Sequence, residues 1–181
     1  MTDRVEIFAA LLRRIRPMGQ NAPHLVDLAT GHGKFAIEAK AQGWRVTAVD
    51  GRIERMPDVP GIEWIQADVR KYEIPNADCI SVLGLLYHLE LESQLSLLRA
   101  CAGTPTIVDT HVARRVTTTV GGYEGHMFWE DQSAPTASIG NEHSFWPSEA
   151  ALLQIFADVG FTNVYARVPW YLEDRTFWLC W

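Results

Sequence analysis

The sequence predicts an α/β fold built on a doubly wound sheet, and three observations carry that prediction. Residues 25–52 form a strand, a small-residue turn, a helix and a second strand that ends on an acid. Apolar strand-like runs then recur with helices or short turns between them, which is the pattern of βαβ units. The chain has 181 residues, enough for one well-cored domain (residues 1–181) and too few for a nucleotide domain with a separate substrate domain.

The elements follow in order. Val5, Ile7, Phe8, Leu11, Leu12 and Ile15 recur at helical spacing, with Arg13, Arg14 and Arg16 leaving on the other face. Pro17 is expected to end this helix, which would cover the sheet. Leu25 to Ala29 reads as a buried strand and Thr30-Gly31-His32-Gly33 as a turn. Lys34 to Ala41 has helix-forming composition and is stopped by Gly43. Trp44 to Val49 is the second strand, ending on Asp50. Gly31 and Gly33 let backbone approach a ligand without a Cβ in the way. Asp50, at a strand's carboxyl end, can accept hydrogen bonds from both hydroxyls of a ribose.

Gly31-His32-Gly33-Lys34-Phe35-Ala36 also fits a loose dinucleotide-binding pattern. Asp27 argues against a pyrophosphate, because like charges repel; a carboxylate there suits a ligand carrying an ammonium group. Gly51 to Pro60 is a charged, proline-containing connection. Ile62 to Ala67 is the third strand, with Asp68 and Val69 just beyond it. Asp78 to Leu83 is the fourth, leaving through Gly84-Leu85-Leu86-Tyr87-His88-Leu89. Glu92 to Ala102 is a helix closed by Gly103, and Thr106 to Asp109 is the fifth strand, followed by Thr110-His111. Polar residues at the end of a central strand point into the crevice where doubly wound sheets bind ligands, which makes His111 a site candidate.

From Val112 to Pro147 regular periodicity fades, although Tyr123, Glu124, Trp129, Glu130, His143 and Trp146 all fall there. Loops this long in compact domains are usually functional, and the aromatic content argues against disorder. The segment is expected to be a lid that shapes a substrate pocket. Its acids and histidines lack ligand-like spacing, so no metal site is expected. Ser148 caps a helix running to Val159, Gly160 stops it, and Phe161 to Val168 and Thr176 to Trp181 are the last two strands. The chain stops within the final strand, which leaves room for further native residues.

Asp27 with its glycine turn, and Asp50 at the end of the second strand, resemble motif I and the following acid of the class I S-adenosylmethionine-dependent methyltransferases. The resemblance implies a Rossmann-like, seven-stranded sheet, mostly parallel with an antiparallel last strand. It also implies S-adenosylmethionine as cofactor. Asp27, Ala29, Thr30, Gly31, His32, Gly33 and Phe35 would surround its methionine part, with Asp50, Gly51 and Arg52 at the ribose. Asp68 would meet the adenine amino group with Val69 against the ring. Ala29 stands where the family often has its first glycine, and such a small replacement is expected to be tolerated. Gly84 to Leu89 and the run from Ser144 through Phe161 also resemble small-molecule members related to the tRNA wobble-uridine carboxymethyltransferases. Leu83 and Gly84 would then face the methionine moiety, and Tyr87 and His88 the transferred methyl. His88 and His111 are the candidate general bases. Tyr87, Tyr123, Glu124, Trp129, Glu130, His143 and Trp146 are the candidate acceptor contacts. A relative using a carboxylated cofactor needs a basic residue at the methyl position, and the sequence places none there.

The formal net charge is −6 and no basic run exceeds two residues, which disfavours a nucleic-acid footprint and favours a small-molecule acceptor. No apolar run approaches the ~18–20 residues of a membrane span. Thr2-Asp3-Arg4 does not open a signal peptide, and three cysteines on apolar segments suit reduced thiols, so a cytoplasmic location is expected. Three other readings stay open: a non-catalytic methyltransferase-like binding protein, a tRNA-modifying enzyme and a nicotinamide-dependent oxidoreductase. Neither the atom methylated nor the oligomeric state follows from these residues.

Overall fold

The structure is a computed structural model that describes residues 4–15, 21–133, 138–167 and 175–181. Its main sheet takes strands β1 (His24–Leu28), β2 (Arg45–Asp50), β3 (Ile62–Gln66), β4 (Cys79–Leu83), β5 (Thr106–His111), β9 (Val164–Arg167) and β10 (Arg175–Cys180). Their order is β3-β2-β1-β4-β5-β10-β9. The first five run parallel, while β10 lies antiparallel between β5 and β9. This is the doubly wound, Rossmann-like sheet with an antiparallel end that the sequence implies.

Helices cover both faces because the central strands bury every residue. β1 and β4 have no exposed position, as expected of parallel strands enclosed on both sides. On one face α1 (Arg4–Leu12) and α2 (Lys34–Ala41) cover Leu25, Val46, Ile107 and Phe177. On the other, α3 (Leu91–Cys101) and α4 (Glu149–Val159) cover Val26, Val82, Val108 and Trp178. Ser148 caps α4 by accepting the Ala151 N–H, and Gly160 ends it at φ 112°. Cys79, Cys101 and Cys180 are buried free thiols whose pKa values burial pushes up. Among the described residues no helix is long and apolar enough to cross a membrane.

Two expectations need correction. The first helix ends at Leu12, before the arginines; Pro17, its expected stop, and Val168, the expected end of the sixth strand, lie outside the described residues. Residues 112–147 are also far more regular than their sequence suggests. They contain β6 (Thr118–Val120) and β7 (Tyr123–Trp129), which pair with β8 (His143–Pro147) in a three-stranded antiparallel sheet. Val120 pairs with Tyr123 across Gly121-Gly122, both at positive φ (56° and 90°). That is the two-residue hairpin turn that Gly-Gly specifies. The run Met127-Phe128-Trp129 breaks apolar alternation, which hides the strand from a periodicity reading.

Candidate active site

A cavity of about 650 Å³ opens at the carboxyl ends of β1 to β4, where the strand order reverses and such sheets bind ligands. Its walls come from two groups of segments: the turns after β1, β2 and β3, and the turn after β4 with α1, β10 and residues 138–139.

The first group is fixed by short backbone bonds. Asp50 is 7% exposed. Its Oδ2 accepts the Gly31 N–H and its Oδ1 the Arg52 N–H, both at 2.8 Å. Each oxygen keeps a second lone pair beside the cavity that the residue lines. A Cβ built on Gly31, at φ 54°, meets nothing within 4 Å, so the backbone there faces open space. Asp68 is bound by Arg70 through both of its oxygens, at 2.9 and 2.8 Å, and these bonds lower its pKa. Val69 lines the same wall. Twelve of the fourteen predicted cofactor contacts line this cavity: Ala29, Thr30, Gly31, His32, Phe35, Asp50, Gly51, Arg52, Asp68, Val69, Leu83 and Gly84.

The other two are placed differently. Asp27 lies beneath the turn, 1% exposed, and accepts the hydroxyls of Ser81 at 2.5 Å and Thr30 at 2.6 Å. Burial raises its pKa to about 6, more than these hydroxyl bonds lower it. It therefore anchors the turn to β4 and does not line the cavity. Gly33 makes its close approach to another side chain: a built Cβ would collide with the Trp64 ring and lie 3.2 Å from Pro57. Ala29 adopts φ 58°, the left-handed value suited to the glycine it replaces.

The second group is held by side chains from distant segments. Asp109, fully buried on β5, accepts Arg175 Nε at 2.7 Å and Nη2 at 3.1 Å. It also accepts Arg4 Nε at 3.0 Å, and the Arg4 Nη2 closes the pair. Burial works against the Arg175 charge, but the Asp109 bonds hold its pKa above the ordinary value. Both arginines line the cavity. A Cβ built on Gly84 would lie 3.0 Å from Arg175 Nη2, 3.4 Å from Arg4 Nη2 and 3.6 Å from the Tyr87 hydroxyl. Basic residues thus do stand at this end of β4, where the sequence placed none. The signal was an acid inside the apolar strand Thr106-Ile107-Val108-Asp109, because a buried carboxylate requires charged or hydrogen-bonding partners.

His88 and Tyr87 line the cavity from a short 3-10 turn, Leu86–His88. His88 Nδ1 meets the Glu130 carboxylate at 3.1 Å. A carboxylate accepts, so Nδ1 carries the proton and Nε2 is the basic nitrogen. Burial lowers the His88 pKa more than Glu130 raises it. Glu130 itself is 3% exposed and accepts the Ser138 N–H at 3.1 Å.

The remaining predicted contacts support this wall or stand away from it. His111 does not line the cavity. It stacks on Trp146 at 5.1 Å and meets the Tyr87 ring edge-on at 4.7 Å, because β5 continues through it and takes its ring behind Tyr87. Trp146 stacks on Phe128 as well and donates its indole N–H to the Tyr87 carbonyl at 2.8 Å. Tyr123 is buried and donates its hydroxyl to Asp158 of α4 at 2.7 Å. Glu124 is exposed on β7, and Trp129, 63% exposed, packs edge-on against His143. The lid aromatics expected around a substrate pack on other residues of the chain instead, Trp146 on Tyr87, His111 and Phe128, and Trp129 on His143. The part of the lid that reaches the cavity is Ser138 and Ile139, which the sequence did not mark.

A family profile described as a methyltransferase domain matches residues 2–166. The chain belongs to this family. No curated protein matches the methyltransferase chain in sequence. Among solved structures, the N-terminal domain of EvdMO1 with S-adenosylhomocysteine bound superposes with a TM-score of 0.75 at 19% identity, covering 99% of this chain and 80% of that one. The Burkholderia thailandensis 1,6-didemethyltoxoflavin-N1-methyltransferase, with its substrate and S-adenosylhomocysteine bound, gives 0.65 at 12%, covering 99% and 77%. The magnesium protoporphyrin IX methyltransferase of Synechocystis PCC 6803, with S-adenosylmethionine bound, gives 0.63 at 14%, covering 97% and 77%. These likenesses establish the fold as that of class I methyltransferases.

Proposed function

We propose that the protein transfers a methyl group from S-adenosylmethionine to a small-molecule acceptor. The observation that carries this reading is Asp50: a carboxylate at the end of β2, fixed by two backbone N–H groups, with its remaining lone pairs at the cavity. That arrangement suits two vicinal hydroxyls of a ribose. Val69 offers an apolar surface to a base, and Gly31 offers backbone with no side chain in the way. These residues fit S-adenosylmethionine, whose bound sulfonium supplies an activated methyl group.

The chain's own part is to position and to deprotonate. Leu83, Gly84 and Tyr87 form the wall beside which an acceptor would lie, and enclosure there excludes water. His88 takes the acceptor's proton at Nε2 while Glu130 holds Nδ1–H and stabilises the cation that forms. His111 packs Tyr87 and Trp146 and accepts a hydrogen bond from Arg175 Nη1, which makes it a positioning residue. A nicotinamide cofactor is disfavoured, since Asp27 places a buried negative charge beneath the turn where a pyrophosphate would sit.

Calorimetric titration of the full chain with S-adenosylmethionine, S-adenosylhomocysteine and NADH tests this reading. Binding of both sulfur ligands in the micromolar range without NADH binding is the expected result. NADH binding in their place would contradict it.

A further inference from the structure

Six cations line the cavity of a chain whose formal net charge is −6: Arg4, Lys34, Arg52, Arg55, Arg70 and Arg175. Two carboxylates, Asp50 and Asp68, line it with them, and Asp27, Asp109 and Glu130 lie buried behind it. Glu90 also acts on Arg70. The convergence of cations is sharpest in front of Gly84. There the guanidiniums of Arg4 and Arg175 converge, and among the described residues Asp109 is the carboxylate that pairs with both. Arg175 is held rigidly, with its guanidinium 5.2 Å from the centre of the Tyr87 ring. Each guanidinium has five N–H donors in a planar fork; the Asp109 bonds use the Nε and Nη2 side of each, and on Arg175 the Nη1 also donates to His111 Nε2 at 3.4 Å, which leaves its second N–H to a ligand.

S-adenosylmethionine does not remove this excess. It brings an ammonium and a sulfonium against one carboxylate, so its binding adds positive charge. Charges this close in a partly buried site are weakly screened.

Resting on the methyltransferase reading, we infer that the acceptor is a carboxylate-bearing small molecule whose anionic group is held by Arg175, with Arg4, in front of Gly84. One carboxylate matches the single surplus charge of two guanidiniums against Asp109, and its planar oxygens match the fork of a guanidinium. An RNA backbone needs an exposed basic track, whereas the Arg175 side chain is only 10% exposed. The carboxylate anchors the acceptor beside Tyr87 and His88, so its nucleophilic atom, elsewhere on the molecule, can be directed to the methyl group.

The test uses the full chain saturated with S-adenosylhomocysteine, which fills the cofactor's own carboxylate position. Three probe pairs of matched shape are titrated by calorimetry at a pH where the acids are ionised: benzoate with benzamide, salicylate with salicylamide, and indole-3-acetate with indole-3-acetamide. The carboxylate of at least one pair is expected to bind about tenfold more tightly than its amide, equivalent to about 1.4 kcal/mol. The preference should fall as salt rises, and Arg175→Gln should bring the ratio close to one. Equal binding within every pair, preference for the amides, or no carboxylate binding at millimolar concentration would overturn the inference. If Arg175→Gln does not fold, the parent's ratio and its salt dependence decide the matter without it. Failure to bind S-adenosylhomocysteine overturns the cofactor reading too; binding it without preferring the carboxylates overturns this inference alone.

Discussion

The two halves of the cavity are stabilised by different means. Around Asp50 the wall is made by turns close in sequence, and its key bonds, Gly31 to Asp50 and Arg52 to Asp50, span 19 and 2 residues. Around Gly84 it is made by side chains that meet from far apart. Arg4 and Asp109 are separated by 105 residues, Arg175 and Asp109 by 66, Trp146 and Tyr87 by 59, and His88 and Glu130 by 42. A backbone-made wall tolerates changes in neighbouring side chains, because its donors belong to every residue. A wall of interlocked side chains can be retuned by single substitutions. The first suits a cofactor common to a family, and the second an acceptor particular to one member.

The largest expected effect breaks the second half. Asp109→Ala would leave two guanidiniums beside a buried void, and loss of one partner of a buried pair costs about 3–5 kcal/mol. Denaturant unfolding should show that loss, with Asp109→Asn falling between parent and alanine variant.

His88→Ala comes next, and should lower kcat by about 10²-fold or more if the imidazole is the general base. Burial holds the His88 pKa below its ordinary 6.5, so the basic form should persist, and turnover with it, somewhat below that pH. Because Glu130 opposes this lowering, Glu130→Gln should move the acid limb of the kcat profile to still lower pH. An unmoved limb would remove His88 from the proton transfer.

Asp27 sharpens the comparison from beneath the first half. Its carboxyl is raised from 3.8 to about 6, so the folded state binds its proton more tightly than the unfolded state does. The stabilising contribution of that tighter binding is complete below about pH 3.8 and is lost as pH rises through 6. At neutral pH the charged form is less stable by about 3 kcal/mol than at an unperturbed site. Asp27→Asn, which keeps one acceptor for Ser81 or Thr30, should therefore gain stability relative to the parent as pH rises from 4 to 8, reaching about 1–2 kcal/mol. Urea midpoints across that range measure it.

The smallest effect concerns Ala29. An alanine at φ 58° carries a left-handed strain of about 1–2 kcal/mol, and glycine's greater unfolded-state entropy offsets part of the relief. Ala29→Gly should raise stability by about 0.5–1 kcal/mol without weakening cofactor binding.

The same contrast explains what could be read in the sequence. The glycine turn and the strand ends carrying Asp50 and Asp68 are local signals, and each lies where its neighbours in sequence put it. The alternation of strands and helices announced the doubly wound sheet, and the family resemblance its seven strands and antiparallel end. Tyr123, Trp129 and His143 were chosen by residue type, and His111 by its place at the end of a central strand; neither says which way a side chain faces. β7 and β8 turn Trp146 onto the chain's own rings and Tyr123 toward α4. Arg4 and Arg175 stand near opposite ends of the chain, and no local pattern joins them. Asp109 was the one mark they left, a charge inside an apolar strand.

The most direct test of the division between the halves is the affinity for S-adenosylhomocysteine, measured by calorimetry on Asp50→Ala and Glu130→Gln beside the parent. Removing the Asp50 carboxylate should weaken binding by about tenfold or more, because charge-assisted hydrogen bonds are lost, while Glu130→Gln should bind as the parent does. Equal losses in both variants, or none in Asp50→Ala, would contradict the assignment of cofactor and acceptor to separate walls of the cavity.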